Sequence, residues 1–260
     1  MRIKKSLLVV VVLTVIAACQ KNDDIRPIDP QDTDTIVVAE SVPALFSVNE
    51  NEQVRFALGN LQYVEGVWRF AEKQTDFLPF YDAEHCDLFT WSTTNTLWGL
   101  DTNTYASDYE FSFVDWGTIP QVVDTYGEGW RVLDAIEWDY LLNERLVNGQ
   151  VGEGHSWSAT SIDGQYGVLL YPDGFEQQQS HASGIIPDSC VFLPAMGYRL
   201  GDEIQNRGNH VGYYWSASTT YCPPGAVSLQ FRETDGSTTI GIYADGRYYG
   251  SAVRLVRDVL

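Results

Sequence analysis

Cations are scarce. The 260 residues carry 16 Lys and Arg against 35 Asp and Glu, a formal net charge of -19 at pH 7. Binding a phosphate backbone requires clustered Lys and Arg, so nucleic acid is excluded as a partner. Cysteine is sparse too, with four in the chain and no C-x-x-C pair, which argues against a zinc knuckle or a thioredoxin-like redox site. The four histidines, His85, His155, His181 and His210, show no H-E-x-x-H or other ligand spacing. His85 stands beside Cys86, but neighbours on a strand point to opposite faces, so no Cys-His dyad is expected there. Asp101-Thr102-Asn103 starts like a calcium loop and lacks the glycine and closing glutamate of an EF-hand. Acids this numerous always offer carboxylate pairs, and spacing selects none. No metal, cofactor or catalytic residue is implied, and the protein reads as a non-enzyme. The apolar run Leu7 to Ala18 falls short of the roughly 20 residues that cross a bilayer.

The chain is nevertheless 44% hydrophobic and 13% aromatic, enough for one buried core and too apolar for a disordered acidic polymer. At its start, Arg2, Lys4 and Lys5 precede the apolar run, and Ala17-Ala18 precede Cys19, the pattern of an export signal. Ile16-Ala17-Ala18-Cys19 resembles a bacterial lipoprotein signal, which implies a signal peptide over residues 1–18 and lipidation of Cys19. Gln20-Lys21-Asn22-Asp23-Asp24 resembles the acidic tether that sends lipoproteins of Bacteroidetes-type bacteria to the outer cell surface. The resemblance implies a lipid anchor in the outer membrane and a domain facing the exterior. Asp29, Asp32, Asp34, Pro27, Pro30 and Pro43 continue the polar composition, so residues 19–49 are expected to stand extended as a tether. Residues 50–260 follow as one domain. An oxidising location allows one disulfide among Cys86, Cys190 and Cys222 and one leftover thiol, with the pairing open.

Within that domain, Val54 to Ala57, Leu61 to Val64 and Val67 to Phe70 alternate like strands around turns at Gly59-Asn60 and Glu65-Gly66. A helix is expected after Asp134, where Asp134-Ala135-Ile136-Glu137 is shaped like a capping box. Ile136, Tyr140, Leu141 and Leu142 would form its apolar face, and Asn148-Gly149 its stop. Asp163-Gly164, Asp173-Gly174, Asp235-Gly236 and Asp245-Gly246 mark hairpins or loops. Many short strands with one or two helices give an α+β or mostly β domain. Trp157-Ser158-Ala159-Thr160 and Trp215-Ser216-Ala217-Ser218 suggest two similarly built strand-loop-strand units in one core.

Several segments in order carry a family resemblance. They include Gly59-Asn60-Leu61-Gln62-Tyr63, Asp87-Leu88-Phe89-Thr90-Trp91-Ser92-Thr93, Asp115-Trp116-Gly117 and Gly129-Trp130-Arg131-Val132-Leu133. The C-terminal half adds Val191 to Arg199, Tyr213 to Ser218 and Gly250 to Arg257. These segments are similar to Bacteroidetes surface lipoproteins of the Fibrobacter succinogenes major paralogous domain type. The resemblance implies a C-type-lectin-like fold, shared with formylglycine-generating enzymes and with the variable proteins of diversity-generating retroelements. The enzyme branch uses a C-terminal pair of cysteines, and this chain has only Cys222 in the corresponding stretch. The Glu-Pro-Asn and Trp-Asn-Asp tripeptides of calcium-dependent sugar binding are absent. A surface enzyme, either formylglycine-generating-like or a hydrolase, and a subunit of an adhesive or glycan-capture assembly are the alternatives to a binding protein.

From Tyr213 to Gly250, Tyr, Ser, Thr and Gly make up 20 of 38 residues, the composition used by antibody loops. The retroelement resemblance places diversified positions in this stretch. Thr219, Thr220, Tyr221, Arg232, Glu233, Asp235, Tyr243, Asp245, Arg247 and Tyr248 are therefore the expected ligand-facing residues, toward an extracellular protein or glycan. Trp68, Trp91, Trp130, Trp138, Trp157 and Trp215, set among apolar neighbours, are expected in the core.

Overall fold

A computed structural model describes residues 40–102, 112–176, 185–220 and 225–259. Cys19, the segments before residue 40, Asn103, His181, Tyr221 and Cys222 lie outside them.

In chain order the strands are β1 (Phe46–Ser47), β2 (Gln53–Phe56), β3 (Leu61–Val64), β4 (Val67–Phe70) and β5 (His85–Cys86). A short 3-10 turn at Trp116–Thr118 leads into helix α1 (Pro120–Tyr126), and β6 (Trp130–Arg131) precedes helix α2 (Ala135–Asp139), which widens into a π-turn over Tyr140–Glu144. Then come β7 (Trp157–Ile162), β8 (Gln165–Leu170), β9 (Val191–Pro194), β10 (Tyr198–Leu200) and β11 (Glu203–Gln205). The last are β12 (Val211–Thr219), β13 (Gly225–Thr234), β14 (Ser237–Gly246), β15 (Tyr249–Gly250) and β16 (Val256–Asp258). Strand far outweighs helix, as the alternating pattern predicts, and the class is α+β.

Sheet β1-β2-β16-β6 joins early and late strands: Val256 lies opposite Phe56 and Arg131. Upstream of the expected start at residue 50, Val42, Phe46 and Val48 are fully buried, and Val42 N–H donates to Phe56 O at 2.8 Å. These apolar side chains make 40–49 part of the fold and not tether. Three dipeptide signals become two-residue hairpin turns with both residues at positive φ: Glu65-Gly66, Asp163-Gly164 and Asp235-Gly236. This is the geometry whose twist matches the flanking strands. Asp245-Gly246 stays inside β14, and the chain turns at Arg247-Tyr248. Both Trp-Ser-Ala repeats lie in three-stranded antiparallel sheets, β7-β8-β9 and β12-β13-β14.

The capping box forms as expected. The Asp134 carboxylate accepts from Glu137 N–H at 2.8 Å, and the Glu137 carboxylate from Asp134 N–H at 2.7 Å. Arg131 adds two bonds to Glu137, at 2.8 and 2.6 Å. The expected apolar face is only half right: Leu141 and Leu142 are buried, but Ile136 is 77% exposed. Trp138 points inward, and a residue two positions away lies about 200° round an α-helix, so Ile136 must face out. The α-helical stretch ends at Asp139 and the π-turn at Glu144, and Asn148-Gly149 makes its own turn between Val147 and Gln150. Helix α1 was not anticipated, although Pro120 at its first position is a start signal.

Two aromatic-rich core clusters meet at β12, because Tyr214 enters one and Trp215 the other. All six tryptophans expected inside are buried. The Trp91 and Trp215 indoles interlock two segments: Trp91 Nε1 donates to Ser216 O at 3.0 Å, and Trp215 Nε1 donates to Phe89 O at 2.6 Å. Asp115 fastens another pair of segments, its carboxylate accepting from Gly117 N–H at 2.9 Å and Val132 N–H at 3.0 Å. Two buried cations are held by carbonyl oxygens of the backbone and of side-chain amides. Arg254 donates to Gln74 Oε1 at 2.7 Å and Asn60 Oδ1 at 3.2 Å, and Arg199 donates to Leu88 O at 2.8 Å.

Candidate binding face on the C-terminal sheet

Strand β13 pairs with β14 in unbroken register and with β12 in register from Val211 to Trp215, before a shift between Trp215 and Thr219; Tyr213 lies opposite Gln230 and Gln230 opposite Gly241. Side chains alternate across such a sheet. One set, which includes Tyr214, Leu229, Phe231, Ile240 and Ile242, belongs to the core or packs against it. The other set carries Val211, Tyr213, Ser228, Gln230, Arg232, Thr239, Gly241, Tyr243 and Asp245. This second side runs from open to covered: at one end Trp215 and Ala226 belong to the second core cluster, while Arg232, Thr239 and Tyr243 are exposed at the other. Asp245 stands at the transition.

Two depressions indent this side and share Tyr213 and Gln230. One, of about 210 Å³, is also lined by Val211, Arg232, Thr239 and Tyr243. The other, of about 180 Å³, adds Tyr198, Ala244, Asp245 and Tyr249. Gly241 leaves the space that the Tyr243 ring partly covers, since a Cβ there would sit 3.1 Å from that ring.

The second depression has a distinct chemistry. Tyr198 meets Tyr213 and Tyr249 edge-on, with ring centroids 5.1 and 5.2 Å apart. Gln230 Nε2 donates to Asp245 Oδ2 at 3.1 Å and to Ser228 Oγ at 3.0 Å. Gly246 N–H donates to Asp245 Oδ1 at 3.1 Å. Burial pushes the Asp245 carboxyl up to about 6, against the smaller opposing effects of Gly246 and Ser228. Burial also raises the Tyr213 phenol, partly offset by its bond with Arg232. The Tyr249 phenol is pushed up to about 12, first by its hydrogen bond with Tyr248 and then by burial.

The structure distributes the expected ligand-facing residues unevenly. Arg232, Tyr243 and Asp245 line the depressions. Thr219 is exposed at the end of β12 and Thr220 follows it, half-buried. Glu233 occupies the opposite side of β13, where its carboxylate meets His210 Nδ1 at 3.0 Å. Asp235 is spent on the hairpin turn, and Tyr248 packs on Tyr249 with centroids 4.6 Å apart. Tyr221 lies outside the described residues.

Arg247 is a correction: it is fully buried. Its guanidinium lies 4.6 Å from the Trp91 ring centroid, and Nε donates to Gly225 O at 3.0 Å. The stacking face and carbonyl supplied by distant segments draw it inward, so it supports the sheet from within. Missed by sequence reasoning were Tyr198, Tyr213, Gln230, Thr239 and Tyr249. Strand alternation from Arg232 would have found Gln230, and from Tyr243 would have found Thr239 across Gly241. Tyr198 and Tyr249 arrive from β10 and β15, a placement that only tertiary structure reveals.

The cysteine expectation also changes. Cys86 and Cys190 are both free and buried, so neither forms the expected disulfide. Burial pushes each thiol up to about 12. His85 and Cys86 diverge as strand geometry requires: His85 Nδ1 lies 2.8 Å from Asp82 Oδ1, and Cys86 Sγ lies 3.3 Å from Leu88 O. Among the described residues no three metal-ligating side chains converge.

No family model, no curated protein and no solved structure matches the chain.

Proposed function

We propose that this protein is a non-catalytic binding lipoprotein whose C-terminal sheet presents its outer side to an extracellular protein or glycan. The observation that carries this reading is the division of β12-β13-β14 into a packed side and a side holding Tyr213, Gln230, Arg232, Thr239, Tyr243 and Asp245 around two depressions. Tyrosines give wide contact at low entropic cost, and the amide, hydroxyl and charged groups fix orientation. A C-type-lectin-like fold of the surface-lipoprotein type, with Cys19 lipidated and the domain on the cell exterior, is part of the same proposal. It is supported by the signal-like N-terminus and by the way the quoted Trp-, Gly- and Arg-containing segments interlock.

The test uses the full chain and the double variant R232A/Y243A against an array of glycans and a panel of purified extracellular proteins. A partner retained by the parent chain and lost by the variant, with folding intact by circular dichroism, is the expected result. Partners bound equally by both would overturn the assignment of this side. Labelling of Cys19 with a fatty-acid analogue, abolished in C19S, checks the anchor.

A further inference from the structure

We propose that the depression walled by Tyr198, Tyr213 and Tyr249 and floored by Asp245 binds an organic cation, an ammonium group carried by the outside ligand. The inference rests on the binding role proposed above and names the chemistry of one part of that surface.

The acid is held without a cation. The partners of the Asp245 carboxylate are neutral: the Gln230 amide, the Ser228 hydroxyl and the Gly246 N–H. Glu137 and Asp173, also partly buried, have cations in Arg131 and Arg145. Asp115 has two backbone N–H groups fixed to its carboxylate and opens on neither depression, whereas Asp245 lines one and among the described residues has no cation. A half-buried carboxylate without a counter-charge is costly, and a bound cation would supply that charge. The phenol rings add the second element, because aromatic faces attract ammonium groups through their quadrupole. Two cations of the same stretch are directed elsewhere. Arg232 bonds Tyr213 from the neighbouring depression, and Arg247 stacks on Trp91 in the core. A net charge of -19 favours the approach of cationic groups.

Protonation of Asp245 removes the attraction. The other titratable groups lining the depression are the phenols of Tyr198, Tyr213 and Tyr249, with Tyr248 packed on Tyr249; of the charged groups beside it, Arg232 bonds Tyr213 and Arg247 stacks on Trp91. Among them the Tyr213 and Tyr249 phenols are held above their ordinary value, so both stay neutral while the carboxyl titrates. Binding should therefore weaken as pH falls through about 6.

The experiment titrates the full chain with three probes: choline, its neutral isostere 3,3-dimethylbutan-1-ol, and Nα-acetyl-lysinamide. Binding is followed by NMR of tyrosine ring signals. At least one cation is expected to bind and shift Tyr213 and Tyr249, the neutral isostere to bind at least about tenfold more weakly, and D245N to lose at least about tenfold in affinity for the cation. Choline alone points to a quaternary ammonium, and lysinamide alone to a basic side chain. Equal binding of choline and its isostere, unchanged affinity in D245N, or no binding of either cation overturns the proposal. If that happens while R232A/Y243A still loses its panel partners, the cation falls and the display role stands. Panel binding untouched by every variant of this side removes the display role itself.

Discussion

Replacing Asp245 with Asn should make the fold more stable at neutral pH while emptying the groove of its charge. The carboxyl is pushed up to about 6 from an ordinary 3.8, so the folded state holds its proton more tightly than the unfolded chain does. At pH below about 4 both states are protonated and the residue is neutral in its effect. Between about 4 and 6 the unfolded chain ionises first, and stability falls as pH rises. Above about 6 the loss is complete and constant. About two pKa units at roughly 1.4 kcal/mol each set a ceiling of about 3 kcal/mol. The groove is half open, and solvent screening brings the expected gain for D245N to on the order of 1–2 kcal/mol at pH 7.5. Urea unfolding of both proteins at pH 4, 5, 6 and 7.5 measures it. Their difference cancels the contribution of Asp87, which burial also pushes up to about 6. Curves that differ by the same amount at every pH, or a D245N protein less stable at pH 7.5, would refute the reasoning. A residue that costs stability where it sits is characteristic of a site kept for binding.

Other outcomes test the scaffold. Gly212→Ala would put a Cβ 2.2 Å from the buried Phe231 ring, so overpacking should cost about 1–3 kcal/mol in urea unfolding. Gln74→Leu breaks a bridge in which Gln74 donates to Cys190 O at 2.9 Å and accepts from Phe192 N–H and Arg254 Nη2, each at 2.7 Å. About 2–4 kcal/mol should be lost by thermal or urea unfolding, because two buried donors and an acceptor are orphaned. Arg247→Ala should cost about 2–3 kcal/mol through lost packing on Trp91, with any partner of the sheet still bound by the folded fraction. Cys86 and Cys190, buried and held as thiols, should resist iodoacetamide at pH 8 and react in 6 M guanidinium, as read by mass spectrometry.

What the sequence revealed depended on how local the cause was. The turns at Glu65-Gly66, Asp163-Gly164 and Asp235-Gly236 were legible because two adjacent residues determine each of them, and the capping box at Asp134 because four do. Asp245-Gly246 has the same chemistry but runs on in β14, where pairing with Gly225 and Ala226 on β13 overrides the dipeptide. Ile136 was misplaced because the widening at Tyr140 and the inward aim of Trp138 are set by packing. Of the candidate site, Arg232, Tyr243 and Asp245 were legible as polar or aromatic positions in a strand-rich stretch. Arg247 was read as exposed because its ring and carbonyl partners come from distant segments. Tyr198 and Tyr249 escaped notice for the same reason.

The alternation along β13 and β14 also sets the terms on which this protein can change. Inward positions such as Leu229, Phe231 and Ile242 are tied to neighbours from several strands, whereas Arg232, Thr239 and Tyr243 touch few of them. A lineage could therefore rewrite alternate letters at the open end of this hairpin, altering what it recognises without disturbing how it folds. Selection would leave a two-residue rhythm of fixed and free sites.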